Sequence, residues 1–110
     1  MQNREVVLEF LRRFCDGDVD GLAPLLTADL TVRGALRSFA SAAEYLASLR
    51  SDPPARCPHQ VLSVTEGQDE VSVFYEYGKP DGSLLIAQLF RMRGTRIREM
   101  LIVFDGRGFS

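Results

Sequence analysis

The sequence predicts an α+β domain in which helices pack on one face of a curved, mostly antiparallel sheet. Three observations predict it. Residues 71–104 read as three strands in succession, Val71 to Tyr77, Leu84 to Arg93 and Arg96 to Phe104. Apolar and aromatic residues recur within them, and the breaks at Lys79-Pro80-Asp81-Gly82 and Gly94-Thr95 are the short interruptions of a hairpin meander. The element order is helix, helix, strand, helix and then four strands, which separates the helices from the sheet instead of alternating with it.

Asn3 caps a first helix in which Val6, Val7, Phe10, Leu11 and Phe14 share a stripe, with Arg4, Glu5, Glu9, Arg12 and Arg13 mostly elsewhere. Gly17 ends it. Asp18 caps a short second helix carrying Leu22, Leu25 and Leu26, made irregular by Pro24, which has no amide to donate. Leu30 to Arg33 is a short strand, and Gly34 to Phe39 a loop. Ser41 followed by Glu44 has the spacing of a capping box, and Tyr45, Leu46 and Leu49 supply the apolar stripe of the third helix. Asp52-Pro53-Pro54 stops that helix, because a residue preceding proline is pushed out of the helical region. His59 to Thr65 is the next strand, and Gly67 turns the chain into Val71.

A chain of 110 residues makes one domain, 1–110, that buries roughly two-thirds of its unfolded surface, enough for a core without staples. Hydrophobic residues make up 45% and charged residues 25%, and the formal net charge of -2 argues against a general polyanion binder. Two cysteines, Cys15 and Cys57, are too few for the framework of a small secreted domain and are expected to be reduced. Residues 1–10 contain Arg4, Glu5 and Glu9 and lack the apolar core of a signal peptide, and no run approaches 18 apolar residues. A cytoplasmic protein without a membrane partner is the expectation.

Two stretches carry a family resemblance. Val6-Val7 through Phe10, then Gly17-Asp18-Val19-Asp20-Gly21-Leu22, then Leu25-Leu26-Thr27-Ala28-Asp29-Leu30-Thr31-Val32, resembles the opening of the nuclear-transport-factor-two-like superfamily, especially its ketosteroid isomerase and SnoaL-like branches. The run Gly94 to Asp105, with Ile97 seven residues before Phe104, is similar to the last strand of those families. The resemblance implies a cone, a cystatin-like α+β barrel in which the sheet wraps around three N-terminal helices and leaves an apolar pocket at its open end.

It also implies where an isomerase would keep its chemistry. The first-helix tyrosine that donates to the substrate oxygen falls on Phe10, and the aspartate general base after the first strand falls on Gly34. The second oxyanion donor, an aspartic acid kept neutral by an apolar site, falls on Gln88, which still donates a hydrogen bond. With two of three positions changed, ketosteroid isomerisation is not expected. Tyr75 and Tyr77 lie on one strand face with Val71 and Val73, where the isomerases also point large side chains inward. Aromatic strand residues are most often packing, with ligand contact the alternative use.

The orientation of Glu99 is open between two registers. The family's last strand puts Arg98, Met100, Ile102 and Phe104 on the pocket side and Glu99 outside. A two-residue turn at Gly94-Thr95 pairs Arg93 with Arg96 and Arg91 with Arg98, which gathers four arginines on a solvated face and turns Glu99 inward, diagonal to Gln88. A β-bulge would make both locally true. An inward Glu99 is the candidate general acid or base, with Gln88 and the hydroxyls of Tyr75 or Tyr77 orienting substrate against an apolar wall that includes Phe10 and Phe90.

Other signals are weaker. The arginine-rich run 91–98 lacks a flanking aromatic ladder and reads as a solvated face paired with local carboxylates, so no nucleic-acid partner is expected. His59, the lone histidine, and Cys57 are too few for a zinc site, and there is no phosphate-cradling glycine loop and no GxSxG elbow. No metal or cofactor is expected. Two function classes follow: a cofactor-free proton-transfer enzyme of the SnoaL-like or isomerase type acting on a small apolar molecule, or a non-catalytic ligand-binding or dimerisation module. A homodimer is expected in either case, because Phe74 and Leu89 fall on the sheet face that the helices leave bare.

Overall fold

The computed structural model describes residues 2–79 and 82–105. The chain forms α1 (Asn3–Cys15), a single 3-10 turn (Ala23–Leu25), β1 (Leu26–Arg33), β2 (Ser38–Phe39), α2 (Ala42–Ser51), β3 (His59–Gly67), β4 (Glu70–Lys79), β5 (Gly82–Arg93) and β6 (Arg96–Val103). Six strands make one curved, open sheet in the order β2-β1-β6-β5-β4-β3. Only the β1–β6 pair is parallel, and the other pairs are antiparallel. Pro80 and Asp81, part of the expected hairpin break, lie outside the described residues.

Local chemistry accounts for each helix. The cap of α1 is Gln2, not Asn3, and the Gln2 amide donates to the Glu5 carboxylate at 3.4 Å. Gly17, at φ 75, takes the left-handed conformation that lets the chain leave α1. The second expected helix contracts to one 3-10 turn with Pro24 in its first positions, and Leu26 passes to β1. Without an amide, Pro24 cannot continue a helix that begins at Asp18, but it is tolerated in the first positions of a new turn. At α2 the Ser41 hydroxyl accepts from the Glu44 amide at 3.1 Å, and the Glu44 carboxylate accepts from the Ala40 amide at 3.0 Å. The box therefore closes one residue earlier than the usual reciprocal pair.

α1 lays Val6, Val7, Phe10 and Leu11 onto the inner face of the sheet, where Val71, Val73, Phe90 and Met100 are fully buried. The Phe10 and Phe90 rings meet edge to face at 5.7 Å, a favoured aromatic geometry. Beyond the expected span of the first strand, β1 begins at Leu26, and its register with β6 shifts between Leu26 and Thr31. Among the described residues no helix covers the outer face of the sheet. Phe74, Ala87 and Val103 lie in one row across β4, β5 and β6 there, and Phe74, Leu85 and Val103 are 51%, 57% and 66% exposed. Among the described residues no helix is long and apolar enough to cross a membrane.

The Phe10–Phe90 contact joins helix to sheet, so Phe90→Ala should lower stability by about 3–5 kcal/mol. Urea denaturation of the folded variant reads this directly, and an unchanged midpoint would contradict the placement of Phe90 in the core.

Candidate functional site

The end of α1, the loop after β1, α2 and the inner faces of β4, β5 and β6 enclose a cavity of about 330 Å³. Its wall is strongly aromatic. The Phe10, Phe14 and Tyr77 rings form a continuous line, with centroids 6.2 and 6.4 Å apart, and Phe39 meets Tyr45 edge to face at 5.6 Å. All three tyrosines of the chain, Tyr45, Tyr75 and Tyr77, line the cavity. Alternation along β4 turns Tyr75 and Tyr77 inward with Val71 and Val73, and α2 presents Tyr45 from the opposite side.

The polar groups of the wall are few and neutral. Gln88 is 4% exposed; its Oε1 accepts from the Tyr75 hydroxyl at 2.7 Å, while its Nε2 lies 3.3 Å from the Met100 sulfur. The oxygen is thus engaged and the nitrogen meets only a weak acceptor, which leaves Gln88 with donor capacity. Tyr45 is 5% exposed, and its hydroxyl has no hydrogen-bond partner among the described residues. Burial pushes the phenols of Tyr45, Tyr75 and Tyr77 above the ordinary tyrosine value, so all three remain protonated. Among the described residues, charge reaches the cavity only at its mouth, where Asp52 ends α2 and the Arg37 guanidinium stacks over the Phe39 ring at 5.2 Å; both residues are exposed.

The structure separates the residues expected to act together. Phe10, Tyr75, Tyr77 and Gln88 share the cavity wall. Phe90 does not, because it lies in the core edge-on to Phe10. Glu99 is not in the cavity either. Arg93 pairs with Arg96 across the two-residue turn and Met92 with Ile97, but Arg91 pairs with Glu99, leaving Arg98 as an extra residue. This bulge reverses the alternation, so Met100 and Ile102 face inward opposite Phe90 and Gln88, and Glu99 faces outward. There Glu99 accepts from Arg91 at 2.8 Å, away from the cavity wall on which the expected general acid or base would stand.

The same bulge sorts the arginine run. Arg91 also approaches Glu70 at 3.5 Å, Arg93 pairs with Asp29 at 3.0 Å, and Arg98 lies 3.9 Å from Glu99. Carboxylates therefore answer these arginines on the outer face. Gly34, at the isomerase base position, donates its amide to the Arg37 carbonyl at 2.9 Å, and a Cβ there would sit 2.7 Å from that oxygen. The turn after β1 thus excludes an aspartate at this position in its present conformation. His59 pairs with Tyr77 in the β3–β4 register but is not part of the cavity wall. Among the described residues no cluster of three or more His, Cys, Asp or Glu could hold a metal ion.

Tyr45 is the site residue that sequence reasoning missed. Its only signal was membership of the apolar stripe of α2, and a stripe residue with a hydroxyl looks the same whether it packs or lines a cavity.

No protein-family model matches the sequence, and no curated protein matches it. The fold does match solved structures. An NTF2-like protein of unknown function from Cytophaga hutchinsonii superposes with a TM-score of 0.84 at 17% identity, covering 98% of this chain and 94% of that one. A SnoaL-like polyketide cyclase from Jannaschia sp. CCS1, so described as putative, gives 0.74 at 22% identity over 94% and 85% of the two chains. A protein with a ketosteroid isomerase-like fold from Catenulispora acidiphila, in complex with trimethylamine, gives 0.74 at 17% identity over 94% and 88%. The chain therefore has the fold shared by NTF2-like, ketosteroid isomerase-like and SnoaL-like proteins.

Because Glu99 sits in a half-exposed ion pair, Glu99→Gln should cost about 1 kcal/mol or less. Chemical denaturation measures this, and a far larger loss would show that the pair does more than tie neighbouring strands together.

Proposed function

We propose that this chain is a small-molecule-binding domain whose cavity takes one small, uncharged, apolar molecule bearing a hydrogen-bond acceptor. The observation that carries this reading is the composition of the cavity wall: aromatic rings, a Gln88 carboxamide with its oxygen engaged, and a Tyr45 hydroxyl free to donate. Donors with spare capacity in such a wall favour a ligand that supplies an acceptor, because a hydrogen bond is stronger in apolar surroundings than in water. Proton-transfer catalysis has less support. It needs a group with a tuned pKa inside the wall, whereas the tyrosines are held protonated and Asp52 lies in solvent at the mouth. The two free thiols support a reducing, cytoplasmic setting.

The chain has no tryptophan, and its three tyrosines all line the cavity, so tyrosine emission reports occupancy without background. Titration with cyclooctanone should change that emission saturably, while cyclooctylamine, which is charged at neutral pH, should bind more weakly. Tyr45→Phe or Gln88→Leu should each weaken the ketone about 10-fold, the loss of one hydrogen bond. Tighter binding of the amine, or of trimethylamine, would replace this reading with an aromatic cage for a cation.

The row Phe74, Ala87 and Val103, with Leu85 beside it, supports pairing of two copies through the outer sheet face. Light scattering at micromolar concentration should return twice the 12.3 kDa chain mass, and Phe74→Glu should return the single-chain value. A wild-type monomer would end the dimer proposal.

A further inference from the structure

The chain's two cysteines sit at opposite ends of a long excursion and meet beside the cavity. The Cys57 amide donates to the Cys15 carbonyl at 3.0 Å. The backbones of the end of α1 and the segment before β3 are therefore in direct contact at these two residues, the close approach that a disulfide requires. The thiols are also neighbours. Burial first, and then the Cys57 thiol beside it, pushes the Cys15 thiol up to about 12. Cys15 is 1% exposed, whereas Cys57 is only half-buried.

The segment that carries Cys57 is packed against both α1 and the cavity wall. A Cβ at Gly17 would lie 3.2 Å from the Pro54 carbonyl, and the Tyr77 hydroxyl donates to the Ala55 carbonyl at 3.5 Å. Tyr77, a wall residue, also has the Cys57 thiol against its hydroxyl. The same segment begins at Asp52, on the mouth of the cavity. A bond between the two sulfurs would therefore tie the end of α1 to residues 52–58 and take the Cys57 thiol out of its contact with Tyr77.

We infer that Cys15 and Cys57 form a reversible dithiol–disulfide site in the folded protein, closed by exchange with small-molecule disulfides and coupled to the cavity wall through Tyr77. Cys57, the accessible sulfur, attacks as a thiolate on one sulfur of a disulfide such as oxidised glutathione. That disulfide bond breaks, one glutathione thiolate leaves and is protonated, and Cys57 becomes a mixed disulfide. Cys15 then gives its proton to water and attacks the Cys57 sulfur, expelling the second glutathione. Two protein thiols are oxidised to one disulfide, and one small disulfide is reduced to two thiols. Because the Cys15 thiolate is scarce well below its pKa, ring closure should accelerate about tenfold per pH unit until that pKa is approached.

Intact-protein mass spectrometry of the native chain incubated with oxidised glutathione, quenched by alkylation, tests this. The expected product lacks both alkylatable thiols, is lighter than the reduced chain by about 2 Da, and is restored by dithiothreitol. Cys15→Ser should stop at the Cys57–glutathione adduct, and Cys57→Ser should stay unmodified because Cys15 is buried. Oxidation of the wild type should change tyrosine emission, and the same treatment of Cys57→Ser should not. A wild-type chain that retains one glutathione without closing, that links chain to chain, or that closes only in denaturant overturns the proposal. A closed disulfide with unchanged tyrosine emission overturns the coupling to the wall. None of these outcomes depends on a cavity ligand, so they are read independently of the binding proposal.

Discussion

The packing of α1 against the concave face of the sheet is the contact on which the other features depend. Val6, Val7, Phe10 and Leu11 are all but fully buried there against β4, β5 and β6. A sheet bare on both faces would have no reason to curve around anything. With α1 in place, the strands wrap the helix, and the sheet stays open at the end where the Phe10, Phe14 and Tyr77 rings run out of helix to cover. The cavity is what remains between that aromatic line, α2 and the loop after β1. Core and cavity are thus one continuous apolar surface, filled at the Phe90 end and empty at the Tyr77 end.

That continuity sets the chemistry of the site. A charged group placed on such a wall would lose its hydration without a partner, and the fold avoids this by sending charges elsewhere. Arg91, Arg93 and Arg98 answer Glu70, Asp29 and Glu99 on the outer face, while Arg37 and Asp52 stay in water at the mouth. What is left inside can form hydrogen bonds but not readily exchange protons at neutral pH. The Tyr75–Gln88 bond uses the one carboxamide oxygen of the wall and so tilts the cavity toward donating. Under the binding proposal, such a site would select by shape and by one polar contact, the ordinary way in which apolar pockets orient a ligand.

The loop geometry around the mouth follows from close backbone approach. Gly34 is held within a turn too tight for a side chain, and the segment 52–58 is pressed against α1 at Gly17. These contacts bring Cys57 to Cys15 and Tyr77 to Ala55. The same crowding that shapes the entrance therefore places the two thiols side by side.

Features whose cause lies within a few residues were legible in the sequence. The stripe of α1, the Ser41–Glu44 cap, the hairpin turn at Gly94-Thr95, and the shared strand face of Tyr75 and Tyr77 all follow from local periodicity and capping chemistry. Even the weakness at Pro24 was visible, although its outcome, one 3-10 turn, depended on Leu26 joining a strand. The rest was decided by distant partners. Whether Arg98 takes a place in the ladder or bulges out of it depends on how β6 fits both β5 and a parallel β1, and that one residue moves Glu99 from the cavity to the outer face. Tyr45 reaches the cavity only because α2 lies across from β4, and Cys15 meets Cys57 only because α1 ends beside the segment leading into β3. Side-chain alternation is a local property, but the point where it breaks is set by tertiary packing, because an extra residue is tolerated only where the neighbouring strands leave room for it.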